Sequence, residues 1–125
     1  MSSVKQMLEE ADESVARVTA EEAHELISGR DALLVDVRDP SELAQSGKLR
    51  GALNVSRGML EFRADPDAAQ HDVQFRKERP VIVYCASGGR SALAGKTLQE
   101  LGYAEVYNLG GFKAAAADGF PSEAV

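Results

Sequence analysis

Two short apolar runs constrain the fold of this chain more than any other feature of its sequence. Residues 32–37 read Ala-Leu-Leu-Val-Asp-Val, and residues 80–85 read Pro-Val-Ile-Val-Tyr-Cys. Runs of this length without polar alternation are typical of strands that are buried on both faces in a parallel sheet. Asp36 and Cys85 are then expected at the C-terminal ends of two such strands.

The other segments complete an alternation of strands and helices. Further short strands are predicted at residues 18–19, 52–55 and 105–108. Helical patterns lie between the strands, at residues 19–27, 41–45, 58–64, 89–101 and 112–117. This alternation predicts an α/β fold, in which ligands bind beyond the C-terminal ends of the strands. Residues 65–77 are polar and poorly periodic, which predicts a surface connection.

The N-terminal segment has an amphipathic pattern of its own. Apolar residues recur there at helical spacing with acidic residues between them, at Val4, Met7, Leu8, Ala11 and Val15. We predict a helical extension over residues 1–16 and a single domain over residues 17–125, because a chain of 125 residues fits one compact domain. The sequence leaves open whether the helix packs on the domain or on a partner.

Composition argues against several classes of function. The net charge is −6 and the basic residues are sparse, so we expect no basic surface that would bind nucleic acid. No apolar run approaches the roughly 20 residues that span a bilayer, and the N-terminus lacks a secretion signal. We therefore expect a cytoplasmic protein without a membrane partner. One cysteine and two isolated histidines allow neither an internal disulfide nor a metal site.

The loop after the second apolar run carries the strongest chemical signal. Cys85 ends the strand, and Ala-Ser-Gly-Gly-Arg-Ser leads into a helix. The adjacent Gly88 and Gly89 can let backbone amides point inward, and the helix N-terminus adds unpaired amides, so the loop is expected to bind anions. A thiolate in such a loop beside Arg90 has a lowered pKa. These features predict a reactive Cys85; the alternative is an inert, buried cysteine.

The candidate site residues belong to two segments. In the loop, Cys85 is the candidate nucleophile, and the candidate substrate-binding residues are Ala86, Ser87, Gly88, Gly89, Arg90 and Ser91. Ser91 has an alternative role as a cap of the following helix. In the other segment, Arg38 and Glu42 are four residues apart, which predicts an ion pair that supports the loop. Asp36 is expected to accept hydrogen bonds from amides of neighbouring loops.

The order of these segments resembles the rhodanese family over about residues 18–121. Four segments carry the resemblance: Asp36-Val-Arg-Asp-Pro-Ser-Glu42, Gly47-Lys-Leu-Arg-Gly-Ala-Leu-Asn-Val55, the six-residue cysteine loop, and Asn108-Leu-Gly-Gly-Phe112. The chain departs from the family pattern at Lys48, where histidine is usual, and at Phe112, where tryptophan is frequent. The resemblance implies a single rhodanese-like domain with about five parallel strands and helices on both faces.

The resemblance also implies a sulfurtransferase that works without a cofactor. Cys85 would take sulfane sulfur from a donor such as thiosulfate, hold it as a persulfide and yield it to a thiophilic acceptor such as cyanide or a thiol. The expected partners are therefore a small sulfur-containing anion, a thiophilic acceptor and, as a further candidate, a protein that donates or accepts sulfur.

Two alternative functions follow from the same residues. One is a non-catalytic rhodanese-like module that binds a partner through the acidic N-terminal helix, although such a module has no need for a cysteine in an amide loop. The other is a cysteine phosphatase or arsenate reductase. Related loops in those enzymes have five residues between cysteine and arginine, whereas this chain has four between Cys85 and Arg90.

Overall fold

A five-stranded parallel sheet forms the centre of the computed structural model, which describes residues 2–125. Numbered in chain order and given in their order across the sheet, its strands are β1 (Ala16–Arg17), β6 (Val106–Gly111), β5 (Val81–Cys85), β2 (Leu33–Asp36) and β4 (Leu53–Asn54). Each neighbouring pair is parallel. A separate antiparallel pair joins β3 (Lys48–Leu49) to β7 (Ser122–Glu123). The predicted α/β class and the five parallel strands are confirmed.

Helices cover both faces of the sheet. Residues 2–125 contain six α-helices: α1 (Val4–Ser14), α2 (Ala20–Arg30), α3 (Pro40–Ser46), α4 (Leu60–Ala64), α5 (Gly89–Glu100) and α6 (Phe112–Ala117). A 3-10 turn at Arg57–Met59 leads into α4. None of the helices in this part of the chain combines the length and apolar character that crossing a membrane requires.

The two central strands, β2 and β5, are buried along their whole length. Alternate side chains of β5 enter two cores: Val83 and Cys85 pack with residues of α4 and α5, whereas Ile82 and Tyr84 pack with residues of α2 and α6. Full burial of one large aliphatic side chain contributes about 1.5 to 3 kcal/mol to stability. The strand that ends on Cys85 is therefore firmly anchored from both sides.

The edge strand β1 differs from the sequence prediction. It lies at Ala16–Arg17, two residues before the predicted position at residues 18–19. The reason is the cap of α2, because the Thr19 side chain accepts a hydrogen bond from the Glu22 amide and the Glu22 carboxylate accepts one from the Thr19 amide. A residue engaged in a capping box belongs to the helix start and not to a strand.

The predicted surface connection at residues 65–77 also differs in one respect. Phe75 is buried at 1% exposure and meets Tyr103 edge to face, with 6.2 Å between the ring centroids. A single aromatic residue among polar neighbours has no periodicity, so its burial could not be recognised from the pattern.

The N-terminal helix α1 packs along α5. Ala11 and Val15 are buried, and Val15 lies against Gly95, where an added Cβ would be 2.9 Å from a Val15 methyl group. The start of α1 reaches the start of α5, because Leu8 is 3.9 Å from the position of a Cβ at Gly89. The contact with α5 answers the question of where the helix packs, whereas the division into an extension and a domain stays a prediction.

Candidate active site

Cys85 is the last residue of β5 and lies beneath the loop that leads into α5. Its thiol is free, and the residue is 1% exposed. The Gly88 amide donates a hydrogen bond to Sγ at 3.0 Å, and the Ser91 Oγ lies 3.4 Å from Sγ. Gly88 has φ +102°, a left-handed conformation that L side chains rarely adopt. The predicted loop geometry around the cysteine is therefore present.

The loop changes the acidity of the cysteine. Burial raises the pKa of the Cys85 thiol, but the hydrogen bonds that the thiolate can accept from the Ser91 hydroxyl and from the backbone amides of Ser91, Gly88 and Ser87 outweigh burial. The net effect is a pKa below the ordinary thiol value. Because the thiolate is the nucleophilic form of cysteine, this environment favours reactivity.

The end of β6 lets the loop pack directly on the sheet. Its pairing with β5 shifts by one residue, so Asn108 faces Val83 and Gly110 already faces Tyr84. A Cβ at Gly111 would be 2.7 Å from the Ala86 carbonyl oxygen, which no side chain tolerates. Gly111, one of the two glycines that the resemblance identified at this turn, thus makes room for the cysteine loop.

Arg90 forms an ion pair with Glu42. Its two terminal nitrogens donate to the two carboxylate oxygens at 2.8 and 2.9 Å. The hydrogen bonds from the Arg90 side chain and the Asp39 amide lower the pKa of Glu42 to about 2, and the pairing raises the pKa of Arg90. The guanidinium is held beside the cysteine loop and remains 39% exposed. The prediction that Glu42 pairs with Arg38 is therefore wrong.

Arg38 pairs with Asp36. Both side chains are almost fully buried, and the Arg38 Nη2 lies 2.7 Å from the Asp36 Oδ2. The guanidinium also lies 4.4 Å from the centroid of the Phe112 ring, and it donates to Ser46 Oγ and the Gly47 carbonyl. Arg38 turns inward because Asp36, two residues earlier, faces the same side of the sheet, and this leaves Glu42 free to reach Arg90.

The expected amide partners of Asp36 also need correction. The amide that it binds belongs to Arg38, at 3.0 Å, and lies within the same turn rather than in a neighbouring loop. Asp36 and Arg38 therefore form a buried ion pair that supports the structure beside the cysteine loop.

The loop residues differ in what they offer to a ligand. Ala86 and Ser87 are exposed at the mouth, while Ser91 is completely buried behind Cys85. The cap of α5 is Gly88, so the helix-capping role of Ser91 does not apply. A cleft of about 350 Å³ opens beside Ala86, lined by Arg38, Glu42, Gln45, Ser46, Ala86, Phe112 and Lys113.

Three of the residues around the loop have no predicted role. Gln45 and Lys113 lie on exposed helix positions, which carry no signal in a single sequence. Asn108 is an amide side chain that is 1% exposed in β6, and this burial becomes visible only in the structure. Among residues 2–125, no three His, Cys, Asp or Glu side chains converge as metal ligands would.

A parallel sheet with a cysteine at the end of a central strand, under a loop of amides at a helix N-terminus, defines a class of α/β domains with a cysteine-centred anion site. Within this class, the chain belongs to the rhodanese-like domain family, whose model matches residues 19–118.

Several known proteins are similar to the chain. A sulfurtransferase from Allochromatium vinosum is 38% identical over 97 residues, which cover 77% of this chain and 82% of that protein. The chain spans 60% of the length of YqhL from Bacillus subtilis, which is uncharacterised and 39% identical over 67% of this chain.

Two solved structures have the same fold. The structure of a protein of unknown function from Rhodopseudomonas palustris, described as a possible tyrosine phosphatase, has a TM-score of 0.89 and 40% identity, over 98% of this chain and 96% of that one. The polysulfide-sulfur transferase homodimer from Wolinella succinogenes has a TM-score of 0.76 and 35% identity, over 97% of this chain and 87% of that one.

Proposed function

We propose that this protein is a sulfurtransferase in which Cys85 carries the transferred sulfur as a persulfide. The observation that carries the proposal is the position of the Cys85 sulfur, which lies under a loop whose Gly88 amide is 3.0 Å away. A sulfur anion at this point receives hydrogen bonds from amides that are already in place. The sulfur-transferring relatives support the same chemistry.

In the first half-reaction, the Cys85 thiolate attacks the sulfane sulfur of a donor such as thiosulfate. A bond forms between Sγ and that sulfur, the S–S bond of thiosulfate breaks, and its electron pair leaves with sulfite. The product is a persulfide anion on Cys85. The exposed residues Ala86 and Ser87 and the guanidinium of Arg90 are the candidate contacts for the oxygens of the donor.

In the second half-reaction, a thiophilic acceptor such as cyanide or a thiol attacks the terminal sulfur of the persulfide. With cyanide, a C–S bond forms, thiocyanate leaves, and the electron pair of the S–S bond returns to Sγ as the thiolate. The cycle ends where it began, so no cofactor is consumed. The identity of the donor and acceptor in the cell, a protein among them, and the cytoplasmic location stay predictions.

Sulfur transfer fits this loop better than phosphoryl transfer. A phosphoryl group presents three equatorial oxygens, whereas this loop has only four residues between Cys85 and Arg90. Both terminal nitrogens of Arg90 already contact Glu42, which limits the hydrogen bonds left for a phosphate. Pure partner binding is also disfavoured, since a lowered cysteine pKa serves no purpose in a binding module.

The test is thiocyanate formation from thiosulfate and cyanide by wild type and by Cys85→Ser. Serine keeps nearly the volume of cysteine but forms no persulfide, so we expect the variant to unfold cooperatively like wild type and to produce no thiocyanate above the uncatalysed rate. Hydrolysis of an aryl phosphate by both proteins is the comparison for phosphatase activity. Thiocyanate production by Cys85→Ser at the wild-type rate would overturn the proposal.

A further inference from the structure

The Asn108 side chain is bound on both sides by groups whose hydrogen-bonding roles are fixed. Its Oδ1 lies 2.9 Å from the Gly110 amide, which can only donate, and its Nδ2 lies 3.3 Å from the Gly88 carbonyl, which can only accept. These two backbone groups determine which end of the amide is oxygen and which is nitrogen. Asn108 thus has a defined orientation in the core.

That orientation determines the direction of the next hydrogen bond. The Ser91 Oγ lies 2.8 Å from Asn108 Oδ1, and since Oδ1 carries no hydrogen, the serine hydroxyl must be the donor. A serine hydroxyl has a single hydrogen. Toward Cys85, whose Sγ is 3.4 Å away, the same hydroxyl is then an acceptor, and the thiol is the donor. The chain of hydrogen bonds runs from Cys85 through Ser91 to Asn108.

We infer that Asn108 is a positioning residue that holds the Ser91 hydrogen away from the Cys85 sulfur and so favours the protonated thiol. When Cys85 becomes a thiolate or a persulfide, it needs a donor, and the Ser91 hydroxyl rotates to supply its hydrogen to the sulfur. The Ser91–Asn108 hydrogen bond breaks at that moment, while Asn108 Oδ1 keeps the hydrogen bond that it accepts from the Gly110 amide. The relevance to turnover rests on the proposed sulfur transfer; the switch itself concerns only the ionisation of Cys85.

The charged groups around the sulfur do not take part in this switch. From the loop, Arg90 faces Cys85 and is neutralised by Glu42 of α3. From the neighbouring strand β2 and its turn, Asp36 and Arg38 face each other and are buried as a pair. Replacement of Asn108 leaves all four charges in place, so their effect on Cys85 is the same in every variant.

The experiment is the pH dependence of Cys85 alkylation by iodoacetamide in the full-length protein. For wild type we expect a midpoint below about 8.5, the value of a free thiol. Asn108→Leu removes the acceptor that competes for the Ser91 hydrogen, and a neutral hydrogen bond corresponds to a shift of roughly 0.4 to 1 pH unit. The midpoint of Asn108→Leu should therefore fall by about that amount, and that of Ser91→Ala should rise.

The double variant decides whether Asn108 acts through Ser91. In a Ser91→Ala background there is no hydroxyl to release, so Asn108→Leu should leave the midpoint unchanged. Asn54→Leu is the matched control, because Asn54 donates only to the carbonyls of Asp36 and Arg38, and it should also leave the midpoint unchanged. An equal shift with and without the serine, or a rise in Asn108→Leu, would overturn the inference.

A second substitution keeps the test decisive if the leucine variant does not fold. Asn108→Asp retains the acceptor and adds negative charge, so it should raise the alkylation midpoint. If the substitutions merely loosened the loop, the midpoints of Asn108→Leu and Asn108→Asp would shift in the same direction. Persulfide formation from thiosulfate, measured on the same proteins, separates the two proposals. Absence of persulfide in wild type contradicts sulfur transfer, while midpoints that do not respond to Asn108 contradict the switch.

Discussion

The reactivity of Cys85 depends on side chains and amides that lie up to 23 positions away in the sequence. Burial alone would favour the protonated thiol, because it removes water from the charged form. The amide of Gly88 and the hydroxyl of Ser91 reverse that preference. At this scale, the acidity of Cys85 is therefore set by the donors around the sulfur and not by the cysteine alone.

The role of Arg90 is a prediction at the same scale. Thiosulfate is a dianion, and a hydrogen bond from a charged group contributes about 1.5 to 3 kcal/mol, or roughly a 10- to 150-fold change in binding. Arg90→Ala should therefore lower kcat/KM for thiosulfate by about that factor, while the attack of cyanide on a preformed persulfide loses less. The two half-reactions are measured separately.

The control for Arg90 is an ion pair of similar exposure elsewhere. Arg30 and Glu105 pair near the N-terminal ends of the strands, at the edge of the sheet opposite to Cys85. Arg30→Ala should leave both half-reactions unchanged. Equal losses of both half-reactions in Arg90→Ala would mean that Arg90 keeps the loop in shape and does not bind the donor.

Because the pKa of Glu42 is about 2, the Glu42 carboxylate stays ionised, and paired with Arg90, at every assay pH above about 4.

At the scale of elements, the site is built where β5, β6 and the start of α5 meet. The one-residue shift between β5 and β6 brings Gly110 and Gly111 beside the cysteine loop. The cysteine loop can then pack against the backbone of these two glycines, and this contact keeps the loop amides near the sulfur. Helix α1 covers the outside of α5, because it packs along α5 and contacts the first turn of α5.

Removal of residues 1–16 tests the division between extension and domain. We expect the shortened protein to fold and to unfold cooperatively, because the family match begins at residue 19. It should nevertheless be about 2 to 4 kcal/mol less stable, since it loses the buried Val15 and Ala11 side chains. Urea unfolding of both proteins measures the difference.

Two point variants, one in α1 and one at the residue that caps its C-terminus, are the controls for the truncation. Val15→Ala should cost about 1.5 kcal/mol in the full chain, because two methyl groups leave the core. Val4→Ala, at a position that is 68% exposed, should change little. Loss of cooperative unfolding after truncation would show that α1 belongs to the domain, and unchanged stability would show that its packing contributes nothing.

At the scale of the whole molecule, the sequence predicts the parts that local patterns specify. The apolar runs that end at Asp36 and Cys85 indicate β2 and β5, and the glycines after Cys85 indicate the loop. The partners of charged side chains are set by tertiary packing instead. A spacing of four residues suggested Arg38 with Glu42, but burial of Arg38 beside Asp36 and the approach of Arg90 from another element determine the actual pairs.

Asn108 and the β3–β7 pair illustrate the same limit. The environment of Asn108 becomes visible only when β6 and the cysteine loop are brought together, since its partners Ser91 and Gly88 lie 17 and 20 positions away. The strands β3 and β7 have two residues each, too few for any periodicity. Their pairing depends on contacts across most of the chain and therefore has no local signal.

The most direct test of sulfur transfer by Cys85 is the intact mass of the protein after incubation with thiosulfate and removal of excess reagent. A persulfide on Cys85 predicts a gain of one sulfur atom per chain, complete reversal by cyanide with one thiocyanate released, and no gain in Cys85→Ser. An unchanged wild-type mass, or a gain that persists in Cys85→Ser, would contradict the assignment of Cys85 as the carrier of the transferred sulfur.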